Sequence, residues 1–215
     1  MRAYIRGAVL EGMGHAGKTS ILRALKQEQA KDIEDERSVV ILGEHYSQAL
    51  QTVSGELKLL DQQENQFLLD ERVTTLEKLN DWAAYLGPPA RKRSRGLFFA
   101  FERFHLGHRV GYPGYDTDFL STLEQRLCDL NTVCFLMTVS PETIPERIAH
   151  RASRGGRVYE PAELTKECEA WIRKQDGYLL AAESSAVPTV VVNTDERNWP
   201  SYAREIRDRT DIPVS

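Results

Sequence analysis

Residues 12–19 read Gly12-Met13-Gly14-His15-Ala16-Gly17-Lys18-Thr19, a complete G-x-x-x-x-G-K-S/T run. An apolar stretch, Ala8-Val9-Leu10, leads into it, and Ile21, Leu22 and Leu25 follow at helical spacing. This strand–loop–helix setting is the one a phosphate-binding loop requires. Glycines let the backbone wrap tightly enough for successive N–H groups to converge on one anion. The helix that follows turns its unpaired amides and positive end to the same point. In that frame Lys18 reaches the β- and γ-phosphates of a nucleotide and Thr19 ligates Mg²⁺. The expected triphosphate cradle is therefore Gly12, Gly14, His15, Ala16, Gly17, Lys18, Thr19 and Ser20.

The rest of the chain fits an α/β fold. Five apolar runs read as buried strands: residues 4–10, 38–42, 97–101, 133–139 and 189–192. The segments between them are long enough for crossover helices, which predicts a five-stranded parallel sheet with helices on both faces. Helical patterns cover 17–30, 61–85, 116–130, 142–153, 161–182 and 201–209. In the second, Leu69, Val73, Leu76, Leu79 and Ala83 form one apolar stripe, facing either the core or a second copy of the chain in a homodimer. A length of 215 residues suits one domain over 1–215. The net charge of −4 argues against a nucleic-acid partner. No run approaches the roughly 18–20 apolar residues of a membrane span. Three cysteines, Cys128, Cys134 and Cys168, form no C-x-x-C pair, and the N-terminus has no secretory shape, so a reduced, cytoplasmic protein is expected.

Ligands of open α/β sheets collect beyond the carboxyl ends of the strands, so the residues that follow each run carry the candidate chemistry. Glu44 and His45 follow the second run, Glu102 and Arg103 the third, and Asp195 the fifth. Phosphoryl transfer needs positioning and charge neutralisation. Glu102 either accepts the acceptor's proton or holds Mg²⁺ through water; the bland alternative is an ion pair with Arg103. Arg147, Arg151, Arg154 and Arg157 gather around Gly155-Gly156. The first two are four apart on one helical face, and the glycine pair reads as flexible. The group therefore suits an arginine-rich lid over about 147–160, against the alternative of a solvated basic loop. Arg72 either enters the acceptor pocket or pairs with Glu71 or Asp70. Asp195 either approaches the adenine edge or caps its turn. Tyr112 and Tyr115, in a glycine- and tyrosine-rich loop over 107–115, either stack on a base or pack the loop. His105 and His108 could share a helical face, but no further zinc ligands accompany them.

The order of these motifs resembles the thymidylate kinase family, within the P-loop nucleoside-monophosphate and deoxynucleoside kinases. Leu10 to Ser20 is similar to F-E-G-x-D-G-A-G-K-S/T-T, with Gly14 and His15 in place of the family's aspartate and glycine. Phe67 to Arg72 resembles the L-L-F-x-A-D-R segment, which implies an acceptor contact for Arg72 and an aromatic stack near Phe67, although Leu68 holds the matching position. Glu102-Arg103-Phe104-His105 resembles both the D-R-Y/H motif of thymidylate kinases and the E-R-S motif of deoxynucleoside kinases, implying catalytic roles for Glu102 and Arg103. Pro141-Glu142 with Arg147 resembles the entry to the lid, and Gly43-Glu44-His45 stands where the family has R-E-P.

The resemblance implies an ATP- and Mg²⁺-dependent transfer of phosphate to a nucleoside monophosphate or nucleoside. Lys18, Glu102, Arg103, Arg151 and Arg154 would be catalytic. Arg147, Arg157 and Asp195 would lie on the nucleotide donor; Glu44, His45, Phe67, Arg72, Tyr112, Glu102 and Arg103 on the acceptor; Thr19 and Glu102 on the metal. The alternatives are a kinase acting on a non-nucleotide hydroxyl and a nucleotide-binding regulatory module. A GTPase switch lacks support, since neither D-x-x-G nor N-K-x-D occurs.

Overall fold

A computed structural model describes residues 4–31, 36–43, 50–53, 56–86, 94–114 and 117–211. In chain order the elements are β1 (Ile5–Gly12), α1 (Lys18–Gln29), β2 (Glu36–Leu42), β3 (Leu50–Val53), β4 (Glu56–Leu59), α2 (Gln62–Leu86) and β5 (Ser94–Glu102). They continue with α3 (His105–Gly111), α4 (Thr117–Asp129), β6 (Thr132–Thr138), α5 (Ile144–Arg154), α6 (Pro161–Glu183), β7 (Thr189–Asn193) and α7 (Trp199–Asp211). Five strands form one parallel sheet in the order β2–β5–β1–β6–β7. β1 lies at its centre and is buried at every position but Arg6. From β1 the chain moves toward β2, and from β6 toward β7. The end of β1 therefore lies at the point where the winding reverses, where open α/β sheets bind ligands.

Alternation along the strands divides the core in two. Ala8, Leu10, Phe98, Ala100, Phe135 and Met137 pack with α1, α5 and α7. Ile5, Val9, Phe99, Phe101, Cys134 and Leu136 face α2, α3 and α4. Helix α6 serves both sides, with Trp171 in the first cluster and Tyr178 in the second. Leu69, Val73 and Leu76 of α2 are fully buried in the second cluster, so that stripe is core. Arg126 of α4 fastens α2 from outside through Asp70, Thr74 and Glu77. No helix among the described residues is long and apolar enough to cross a membrane.

Two elements depart from the sequence reading. β3 and β4 form an antiparallel pair, Leu50 opposite Leu59 and Val53 opposite Glu56, in a stretch with no assigned structure. Its signal was an alternating run either side of Ser54-Gly55. Helix α3 (His105–Gly111) overlaps the start of the stretch read as a loop over 107–115 and carries His105 and His108 on one helix. Its glycines concealed it, because they disfavour a helix interior unless tertiary contacts hold one. The glycines after α5 close that helix: Gly156 takes φ +73 and Arg157 N–H bonds to Ala152, with Gly156 N–H to Ser153. That is a Schellman cap.

Gly7 marks the closest approach in the sheet. A Cβ there would lie 2.2 Å from the Phe99 carbonyl and 2.5 Å from its ring. Gly7→Ala should lose about 2 kcal/mol or more of stability through overpacking, read as a lowered urea midpoint at unchanged slope.

Candidate active site

The phosphate loop leaves β1 at Gly12 and enters α1 at Lys18, with Gly12, His15 and Gly17 at φ +122, +71 and +91. His15 is the non-glycine residue among them, held in a conformation that costs about 1 kcal/mol or more. The loop's carbonyl oxygens are engaged by side chains. The Lys18 ammonium donates to Gly12 at 2.9 Å and Met13 at 2.8 Å. Trp171 Nε1–H donates to Gly14 at 3.0 Å. The buried Thr194 hydroxyl is shared between Ala16, at 2.9 Å, and Thr138, at 3.0 Å. Carbonyls engaged in this way compete less with an anion for the loop, in which Ala16 N–H is itself bonded to the Met13 carbonyl at 3.3 Å. The Trp199 indole backs the loop where a Cβ on Gly17 would lie only 2.4 Å away.

Glu102 ends β5 directly beside this loop. It is 2 % exposed and accepts the Thr19 hydroxyl at 2.9 Å. Two adjacent oxygens of an octahedral Mg²⁺ shell, each about 2.1 Å from the ion, lie about 3.0 Å apart. Thr19 and Glu102 thus present a pair of hard oxygen donors at a fitting separation. Among the described residues no group of three His, Cys, Asp or Glu side chains could hold a metal. A site of this kind takes its remaining ligands from water and phosphate. Arg103 follows at φ +66, its N–H on the Leu10 carbonyl at 2.8 Å.

The arginines separate in role. Arg151 reaches the loop, Nη1 lying 3.3 Å from His15 Nδ1. Arg147 is buried and turned to the β7–α7 connection. It donates to the Thr194 carbonyl and, at 3.4 Å, to that of Asp195, with its guanidinium 5.7 Å from the Trp199 ring centroid. Arg154 is exposed at the end of α5. Arg157 lies over Tyr159 at 4.2 Å and within 4.0 Å of Glu163. Asp195 accepts from Ser140 N–H and Asn193 Nδ2. Burial alone would raise its carboxyl, but those bonds and the Arg147 charge hold it below the ordinary range.

On the acceptor side, Arg72 is 8 % exposed within the inner face of α2, its Nη1 without a hydrogen-bond partner, and burial lowers it to about 10. It remains a cation at neutral pH. The alternative pairing with Asp70 fails because Asp70 is taken by Arg126. Phe67 is 63 % exposed on the same helix. The Tyr112 hydroxyl donates to the Leu60 carbonyl and its ring lies 4.8 Å from that of His108. His108 Nδ1 in turn lies 2.6 Å from Asn65 Oδ1. Glu44, His45 and Tyr115 lie outside the described residues.

Two buried groups escaped the sequence reading. Glu11 faces away from α1 and binds the chain after Arg103; it entered the reading only as part of the resembled F-E-G motif, with no role assigned. His105, considered only for zinc, is fully buried with neither ring nitrogen hydrogen-bonded. Desolvation is the main cause of its lowered pKa, about 4, with Arg109 lowering it further and Glu124 opposing.

By sequence, no family model and no curated protein matches the chain. The fold is that of the P-loop kinases. Three solved structures carry the likeness. The YorR protein of Bacillus subtilis, in complex with phosphorylated GDP, superposes with a TM-score of 0.60 at 12% identity, over 94% of each chain. Thymidylate kinase of Ehrlichia chaffeensis gives 0.52 at 14% identity, over 94% of this chain and 98% of that one. Polyphosphate kinase 2 of Arthrobacter aurescens TC1 gives 0.54 at 17% identity, over 95% of this chain and 66% of that one.

His105 sets a pH dependence of stability. The unfolded imidazole takes its proton near 6.5, the folded one only near 4. Its contribution is therefore full above 6.5 and is lost as pH falls toward 4, by about 3 kcal/mol. Urea titrations of wild type and His105→Leu should diverge in slope with pH across that window.

Proposed function

We propose that this protein is a phosphotransferase that moves the γ-phosphate of ATP, with Mg²⁺, to a nucleoside monophosphate or nucleoside. The observation that carries the reading is the intact phosphate loop with Thr19 hydrogen-bonded to the buried Glu102 at its mouth. Thr19 and Glu102 would hold Mg²⁺, which when bound offsets charge on the β- and γ-phosphates. Lys18 would leave its loop carbonyls for the phosphate oxygens, and the loop amides would fix the triphosphate in line with the acceptor.

Arg103 and Arg151 would stand over the transferring group, with Arg154 and Arg157 closing above it as a lid. Arg147 and Asp195 would shape the donor's base site through the connection they hold together. Arg72 favours an acceptor that carries its own phosphate. A buried guanidinium with an unbonded Nη1 gains more from an anion than from a neutral hydroxyl. Phe67 and Tyr112, with Glu44 and His45, would complete the acceptor side. The three cysteines described as free thiols suit a reducing compartment, and we place the protein in the cytoplasm.

An ADP-release assay with Mg·ATP against nucleosides, nucleoside monophosphates and unrelated small alcohols tests the reading. Stimulation by a monophosphate supports it; stimulation by an alcohol alone replaces the acceptor; ATP binding without transfer leaves the regulatory module. Lys18→Ala should abolish transfer. Glu102→Gln should lower kcat about 100-fold or more while nucleotide affinity in the absence of Mg²⁺ changes little. Arg72→Met should raise KM for a phosphorylated acceptor at least about tenfold and spare KM for ATP.

A further inference from the structure

Glu11 is fully buried at the end of β1, one residue before the phosphate loop. Strand alternation sends Leu10 to the α1 side of the sheet and Glu11 to the other. There its Oε1 accepts three backbone N–H groups from the segment that follows β5: Phe104 at 2.7 Å, Leu106 at 3.0 Å and Gly107 at 3.2 Å. Leu10 contributes a fourth tie through its carbonyl, which accepts Arg103 N–H at 2.8 Å. The turn held in this way is strained. Arg103 has φ +66, in the left-handed region that L-residues other than glycine rarely adopt.

Such a turn persists only where its surroundings over-determine it. A neutral acceptor bonds three amides less strongly than a carboxylate does. Desolvation raises the Glu11 carboxyl above its ordinary range, opposed by the Gly107 and Phe104 amides and the charges of Arg103 and Lys18, and Oε2 has no hydrogen-bond partner. The groups around it are the three amides, the charges of Arg103 and Lys18, and the Tyr178 hydroxyl, which would lie 3.6 Å from a Cβ on Gly107, as would Oε2. β1 thus supplies both the phosphate loop and, through Glu11, the anchor of the residues that face it from β5.

We propose that Glu11 is a positioning residue of the transfer site, holding the 103–107 turn so that the Arg103 guanidinium and the Glu102 carboxylate face the phosphate loop. The assignment rests on the phosphotransferase reading and deepens it, since Glu11 acts through Arg103 and touches no reactant.

The test uses Glu11→Gln, which keeps the shape and a neutral acceptor, and Glu11→Met, which removes the acceptor. Each is made alone and in an Arg103→Met background. For each variant the melting temperature, Mg·ATP affinity and kcat on the best acceptor of the ADP-release panel are measured, with kcat normalised to folded protein. The expected order of kcat is wild type, then Gln about tenfold lower, then Met about 100-fold lower, with Mg·ATP affinity within about threefold throughout. In the Arg103→Met background both Glu11 changes should add less than about twofold, because they act through the group already removed. Amide exchange at Phe104, Leu106 and Gly107 should quicken in Glu11→Gln while that of β1 and β5 holds.

Wild-type kcat in both variants, or losses that multiply independently of Arg103, overturns the proposal and leaves the phosphotransferase reading standing. If Glu11→Met does not fold, Glu11→Gln and its cycle with Arg103 decide alone. A wild-type protein that binds ATP and phosphorylates nothing in the panel removes the reading, and this assignment with it.

Discussion

The carbonyl oxygens of the phosphate loop are engaged by Lys18, Trp171 and Thr194, which withdraws them from competition with an anion. A backbone loop this tight has a donor and an acceptor at each residue. Unless the acceptors are occupied elsewhere, they compete with the anion for the same concave space. The elements that supply these donors are α1 itself, the middle of α6 and the connection after β7. Much of the surrounding architecture serves those anchors. Gln175, one turn beyond Trp171, bonds both the N–H and the carbonyl of Val139 and so fixes α6 on the end of β6. Arg147 holds the connection that carries Thr194.

The same economy of placement recurs on the other side of β1. Adjacent residues of one strand diverge, Leu10 into one core and Glu11 into the other, so a single strand end organises both halves of the site. Backbone strain gathers there too, at His15 in the loop and Arg103 in the turn opposite, within reach of the carboxylate pair Glu11 and Glu102. Strain of that kind is tolerable because both segments are tied at several points. A turn resting on one hydrogen bond would relax.

Farther from the loop the polar contacts become self-contained. Glu124 binds Arg109 through both carboxylate oxygens and accepts Ala186 N–H, which joins α3, α4 and the approach to β7; these bonds hold its carboxyl low although burial acts against them. Asn65 with His108, and Tyr112 with Leu60, join α2 to α3 in the same manner. Arg72 is a buried cation of α2 whose Nη1 has no hydrogen-bond partner.

Local chemistry made much of this visible in the sequence. The glycine pattern and its Lys-Thr ending specify a loop between a strand and a helix, since only that backbone accommodates them. Apolar runs and helical stripes placed the five strands of the parallel sheet and most helices within a few residues, because burial on one or both faces writes a period into the chain. The position of Glu102 at a strand end followed from the same logic. The hairpin β3–β4 and the helix α3 were missed, since short elements have little periodicity and α3 carries glycines that argue against it. The roles of Glu11, Trp171 and Thr194 were beyond any local signal: their partners lie 96, 157 and 178 residues away, at Gly107, Gly14 and Ala16. Local pattern thus marks the long strands and helices and the glycine-rich loop between β1 and α1, because burial and backbone freedom are written residue by residue. Only tertiary structure decided which way those residues face, because that depends on buried hydrogen bonds between segments that meet through packing alone.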